Sequence, residues 1–201
     1  MNPAELACRC CLRIGDPTLP VDPLQMLRLA RATFVYTREQ ALAERIPAEE
    51  IPPTDPANPA NTWHVVTQEG IERWIVIWEP VDDPAQQRFS FAHELGHIVM
   101  KHFSRERNPR REAEADAFAW ALLMPPPVIR TLQRACGTLY AEQLVPVFGV
   151  SLREALRLSG RRLPAVAPEL AEAVEQLYAE AALSRLPTRI RTDWHPLRLP
   201  E

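Results

Sequence analysis

The sequence predicts an α+β fold, a small, mostly antiparallel β-sheet packed on a mainly helical domain that continues into a helical C-terminal part. Three observations carry this. Two β-rich runs, Trp63–Thr67 and Trp74–Trp78, flank the turn residues Glu69-Gly70 and read as a hairpin. Asp22-Pro23, Asp83-Pro84 and Asn108-Pro109 each set a capping side chain before a proline, a helix-start pattern. The 201 residues are 46% apolar and 24% charged, enough to build a core and too apolar for a disordered chain.

Residues 1–20 show no periodic pattern and are expected to be loose, with Cys8, Cys10 and Cys11 as reduced thiols in a mobile segment. Cys136 is the only other cysteine, so the second cluster of a structural zinc site is missing. A compact core domain is expected over 21–127. Within it, Leu24, Leu27, Leu29 and Ala30 suggest a short amphipathic helix, and Phe34-Val35-Tyr36-Thr37 a strand. A helical stretch at 38–46 stops at Pro47, and the proline-rich 51–61 is a stiff loop. The run Trp74-Ile75-Val76-Ile77-Trp78 lacks alternation and is expected to be covered on both faces. Helices then cover 84 to about 103 and 109 to about 124. Helices also fill 128–160 and 168–184 within a C-terminal part spanning 128–185, and a proline-punctuated tail occupies 186–201.

A net charge of −3 argues against wholesale coating of nucleic acid. The start has no basic and apolar leader, and no apolar run reaches the ~18 residues of a membrane span. The expectation is a cytoplasmic protein without a membrane partner. Its oligomeric state is not legible. The 21 prolines against 6 glycines, and a single lysine, Lys101, fit a GC-rich coding bias or a stiffened chain equally well.

Chemistry concentrates in His93-Glu94-Leu95-Gly96-His97. On a helix, residues four apart share a face, so two imidazoles can reach one ion. Glu94 lies about 60° round the helix from His97 and can hold a water without being a ligand. On the helical wheel Phe89, Ala92, Leu95, Gly96, Val99, Met100 and Phe103 form an apolar arc with both histidines at its margin. Glu94, Gln87, Ser90 and Lys101 fill the polar sector, so the glutamate is expected to face an open side. His102 is expected to point about 180° away from His93 and to stay outside the site. A catalytic zinc needs a third protein ligand. Glu112 shares a face with Ala115, Asp116, Ala119 and Leu123, whereas Glu114 lies about 160° from Asp116, so Glu112 is the expected ligand. Asp116, one turn on, can fix a ligand histidine through its free ring N–H.

Arg88-Phe89-Ser90-Phe91-Ala92-His93-Glu94-Leu95-Gly96-His97-Ile98-Val99, then Glu112, Ala115-Asp116, Phe118-Ala119 and Leu122-Leu123-Met124-Pro125, resemble the ImmA/IrrE family of metallopeptidases. The resemblance spans about 20–160, dense over 88–125. It implies a zincin-like fold, His93, His97 and Glu112 as ligands of one Zn²⁺, and Glu94 as general base. It further implies a site-specific protease that cleaves a helix-turn-helix repressor and so derepresses stress or mobile-element genes. Manganese and iron stay open on the residues alone. An edge strand would align the substrate backbone. Tyr140, His64 and Tyr178 are the candidates for an oxyanion helper.

One competing signal lies at 141–159. Leu144, Phe148, Val150 and Leu158 around Gly149, with Arg153, Arg157 and Arg161 on an outer face, make a weak helix-turn-helix pattern interrupted by Pro146. It leaves open a DNA-binding regulator, or a toxin-like interaction module, using the same fold without peptidase activity.

Overall fold

The computed structural model describes residues 2–51, 54, 59–67, 69–103, 108–158 and 161–187. They fall into two compact units, one of Asp22–Ala119, the other of the residues up to Val21 together with those from Trp120 onward. Among them no helix is long and apolar enough to cross a membrane. The architecture is α+β.

The central unit holds α2 (Pro23–Leu29), β1 (Thr33–Thr37), α3 (Arg38–Ala43), β2 (Ala60–Val66), β3 (Glu72–Trp78), α4 (Pro84–Val99) and most of α5 (Pro109–Leu123). α2, α4 and α5 each start where an Asx-Pro pair predicts. Asp22 accepts hydrogen bonds from the N–H groups of Leu24 and Gln25, Asp83 from those of Ala85 and Gln86, and Asn108 from those of Arg110 and Arg111. Thr37 and Gln40 close a reciprocal cap on α3.

The three strands lie in the order β1-β3-β2. β2 and β3 form the expected antiparallel hairpin, with Thr62 opposite Val76 and His64 opposite Trp74. β1 pairs with β3 in parallel, so the sheet is mixed. Val76 and Ile77 are adjacent and both fully buried, as a strand covered on both faces requires. Ile77 joins Ala41 and Ile51 on one face of the sheet, with Tyr36, Trp63 and Ile75 packed against them. On the other face the Trp78 ring meets Phe91 of α4 edge-on, 5.2 Å between centroids. Directly opposed residues of an antiparallel pair share a face. Thr62 and His64 therefore lie on the α4 side together with Val76 and Trp74. The expected loop at 51–61 lies mostly outside the described residues, and β2 already begins at Ala60.

Two expectations are corrected. α4 ends at Val99, not near 103, in a Schellman turn: Lys101 N–H donates to Ile98 O (3.1 Å) and His102 N–H to His97 O (2.9 Å). Lys101 takes the left-handed conformation usually given to glycine, φ 57°. The N-terminus, expected to be loose, forms α1 (Pro3–Ile14). The Asn2 side chain caps it, Pro3 occupies its first position, and Gly15 closes it at φ 68°. Its inward face is Ala4, Ala7, Cys8 and Cys11, all buried. The cysteines are free thiols, but they belong to a core rather than to a mobile strand.

In this helical unit α1 and α6 (Pro126–Cys136) both pack on α9 (Pro168–Ser184), and α7 (Ala141–Phe148) packs on α8 (Leu152–Leu156). Asn2 and Glu5 hydrogen-bond the backbone at Ala165 and Ala167, fixing α1 beside the start of α9. Helix is interrupted within 128–160: Gly137 ends α6 and Gly149 ends α7, both at positive φ. The tail expected at 186–201 lies outside the described residues from position 188.

Candidate metal centre

α4 and α5 present the site, and Gly96 sets how closely they approach. A Cβ added there would lie 3.1 Å from Phe118 Cδ1 and 3.3 Å from Ala115 Cα and O. The absence of a side chain lets the α5 backbone come against α4 right beside His97 and three residues after His93.

At this crossing His93, His97 and Glu112 converge, their donor atoms all within 4.8 Å of one another. His93 Nε2 lies 2.9 Å from His97 Nε2, 3.5 Å from Glu112 Oε2, and His97 Nε2 lies 3.6 Å from Glu112 Oε1. Two imidazole Nε2 atoms and a carboxylate facing one point form a His₂Glu donor set suited to a divalent cation. A tetrahedral ion with bonds of about 2.0–2.1 Å separates its ligand atoms by roughly 3.3 Å, close to the spacing here. The other ring nitrogen of each histidine is already engaged. His93 Nδ1 lies 2.9 Å from Asp116 Oδ1, and His97 Nδ1 lies 2.9 Å from His102 Nδ1. The residues therefore fit a metal ion held through both Nε2 atoms.

The charges respond to one another. Burial works against a charge on His93, but hydrogen bonds to Asp116 and Glu112 and the negative charge of Glu94 outweigh it, so its pKa is raised in the metal-free chain. Burial and the neighbouring His93 charge push His97 the other way. The two histidines are thus pushed in opposite directions, His93 toward the imidazolium and His97 toward the neutral ring.

Glu94 is buried, 6% exposed, which corrects the expectation of an open-facing carboxylate. The wheel places it away from the apolar arc, but β2 packs on that side of α4 and brings Thr62 against it. Burial pushes its pKa up to about 7, opposed by the positive charge of His93 and by Thr62. The half-open stripe of α4 is instead Phe89, His93 and His97.

His102 is the residue the helical wheel missed. The Schellman turn swings it back beside His97, and its Nε2 lies 3.4 Å from Glu114 Oε2, itself 3.1 Å from Arg110 Nε through the other oxygen. A histidine five positions after His97 is the available signal, masked because Lys101 rather than glycine marks the helix end.

Of the three candidate oxyanion helpers, only His64 belongs to the central unit. Its ring packs between Trp74 and Phe103, with centroids at 4.8 and 4.6 Å. Tyr178 is buried in the helical unit, where it hydrogen-bonds Cys11, and Tyr140 precedes α7 there. In the helix-turn-helix-like stretch, α8 is five residues long and the Arg157 guanidinium lies over the Trp120 ring, 5.5 Å from its centroid.

The model of a peptidase family described as the IrrE N-terminal-like domain matches residues 54–159, from β2 through α8. Among curated proteins, none matches the sequence.

Proposed function

Since the chain belongs to the ImmA/IrrE family of the IrrE N-terminal-like domain, a metallopeptidase family, we propose that it is a zinc-dependent regulatory endopeptidase. Its substrate in this reading is a helix-turn-helix repressor whose cleavage releases stress or mobile-element genes. The observation that carries the peptidase reading is the convergence of His93, His97 and Glu112 beside a buried Glu94. A metallopeptidase needs a cation site and a base next to each other, and a purely structural site needs no base.

His93, His97 and Glu112 would hold the zinc ion. When bound, it supplies a Lewis-acid charge that polarises the scissile carbonyl and acidifies water. Glu94, buried beside the donor set, takes a proton from the attacking water and returns it to the leaving nitrogen. Asp116 accepts the Nδ1–H of His93, which leaves the Nε2 lone pair for the ion. β2, an outer strand of the sheet beside α4, offers a backbone along which an extended substrate segment can add.

The test has two arms. Elemental analysis of the purified protein should give about one zinc per chain, lost in Glu112→Ala. The zinc-loaded protein is then incubated with helix-turn-helix repressors from the same genome, and fragments are sized by mass spectrometry. Cleavage at one position by the wild type, reduced about 10²–10⁴-fold in Glu94→Gln with zinc retained, supports the reading. Equal cleavage by both proteins would falsify the role of Glu94. A full complement of zinc with every repressor left intact removes the substrate assignment.

A further inference from the structure

We propose that His102, backed by Glu114, is a positioning residue for His97, holding the tautomer and ring orientation that direct His97 Nε2 into the metal centre. The inference rests on the metal-site reading above and adds two residues to it.

The argument is one of proton positions. A neutral imidazole carries one N–H, and the nitrogen that binds a cation must be the other one. If His97 presents Nε2 to the ion, its proton sits on Nδ1. Among the described residues, the ring nitrogen in contact with that atom is His102 Nδ1, 2.9 Å away. His102 Nδ1 must then accept, so the His102 proton sits on Nε2. That atom lies 3.4 Å from Glu114 Oε2, which accepts it. The other Glu114 oxygen accepts from Arg110 Nε at 3.1 Å, which keeps the carboxylate charged and turned toward His102. The N–H groups of this relay each meet an acceptor: His97 donates to His102 and His102 to Glu114, which also accepts from Arg110.

The two ligand histidines are thus oriented by different means. His93 meets a carboxylate directly, at 2.9 Å from Asp116. His97 meets one through an intervening imidazole. The backbone supports the same role: the His102 N–H donates to the carbonyl of His97 itself, so the turn that ends α4 and the ring contact fix the same pair of residues. The His102 side chain is 8% exposed, so water does not readily take over as the acceptor.

The experiment measures zinc affinity by competition with a chromophoric chelator, on the full chain, for wild type, His102→Leu, His102→Asn and Glu114→Gln. Melting of the metal-free forms is followed in parallel. His102→Leu removes the acceptor and should weaken zinc binding about 10–100-fold, the usual effect of deleting a partner of a metal-bound histidine. His102→Asn offers a carbonyl oxygen in place of Nδ1 and should recover much of the loss, which a packing role alone would not produce. Glu114→Gln is a milder change at a half-exposed position and should fall between them. In the zinc-loaded wild type, ¹⁵N NMR should find His102 protonated on Nε2 and His97 on Nδ1. Wild-type zinc affinity in His102→Leu, or a His102 proton on Nδ1, overturns the proposal and leaves the metal site standing. A wild type that binds no zinc overturns both. If His102→Leu does not fold, the Asn and Gln variants and the NMR assignment decide alone.

Discussion

Cys8, Cys11 and Tyr178 in the helical unit, and His93, Glu94 and His97 in the central one, are six ionisable groups removed from water by burial. In the helical unit burial acts nearly alone. The thiols of Cys8 and Cys11 are each pushed up to about 12, and the Tyr178 hydroxyl upward as well, so all three stay neutral across the physiological range. They behave as small or aromatic core residues, and the Tyr178–Cys11 hydrogen bond only satisfies polar atoms that packing has enclosed. In the central unit burial is opposed by fixed partners. Asp116 and Glu112 raise the pKa of His93 against burial, burial and the His93 charge lower that of His97, and burial lifts Glu94 to about 7 against the His93 charge. Buried groups become reactive when neighbours push their pKa values apart; burial alone makes them inert.

The largest effect that sharpens this contrast is expected at Glu94 in metal-free protein. Its folded pKa, about 7, lies above its ordinary value of 4.5, so the folded chain binds the proton more tightly than the unfolded chain. The stability it contributes is full below 4.5, declines as pH rises through 7, and is absent above. Removing the titration with Glu94→Gln should therefore stabilise the metal-free protein by roughly 3 kcal/mol at pH 8 and hardly at all at pH 4, read by denaturant melts. A pH-independent difference would place the carboxylate in water and break the comparison.

Next in size is Gly96→Ala. Alanine favours the helix by about 1 kcal/mol, but its methyl meets backbone atoms of Ala115 at 3.3 Å, which yield only if the two helices part slightly. Overpacking costs about 1–3 kcal/mol, so a net loss near 1 kcal/mol is expected, together with weaker zinc binding as the helices separate. Unchanged zinc affinity with lower stability would separate the packing of α4 on α5 from the geometry of the donors.

The smallest is Tyr178→Phe in the helical unit, about 1 kcal/mol for one hydrogen bond. The loss should be the same at pH 5 and pH 8 and leave zinc affinity untouched. A pH-dependent loss would show that the helical unit, too, couples charge to burial.

What the sequence made legible follows from how local each signal is. α4 and α5 are announced by side chains that bond their own first turn, and the His-Glu-x-x-His spacing is a property of one helix. Choosing Glu112 over Glu114 needed only the wheel, and the structure brings Glu112, not Glu114, to the histidines. The wheel failed where the helix stopped. Lys101 adopts a glycine conformation without being glycine, so nothing in the composition marked the turn that returns His102 to His97. It failed again at Glu94, whose environment is set by a strand some thirty positions earlier. The parallel pairing of β1 with β3 is of the same kind, since strand order is decided by non-local contacts. α1 escaped notice because its inward face is alanine and cysteine, too small to register as hydrophobic periodicity, although Asn2-Pro3 repeats the start pattern of Asp22-Pro23.

The packing of α1 on α9 bears on how the chain assembles. The central unit is continuous from Asp22 to Ala119, so its contacts close within one stretch and can form while synthesis proceeds. The helical unit is discontinuous. α1 leaves the ribosome long before the helix on which it packs, which begins at Pro168. Until then the thiols of Cys8 and Cys11, inert in the finished protein, sit on a nascent helix without its partner, whereas the central unit is complete once Ala119 has been made.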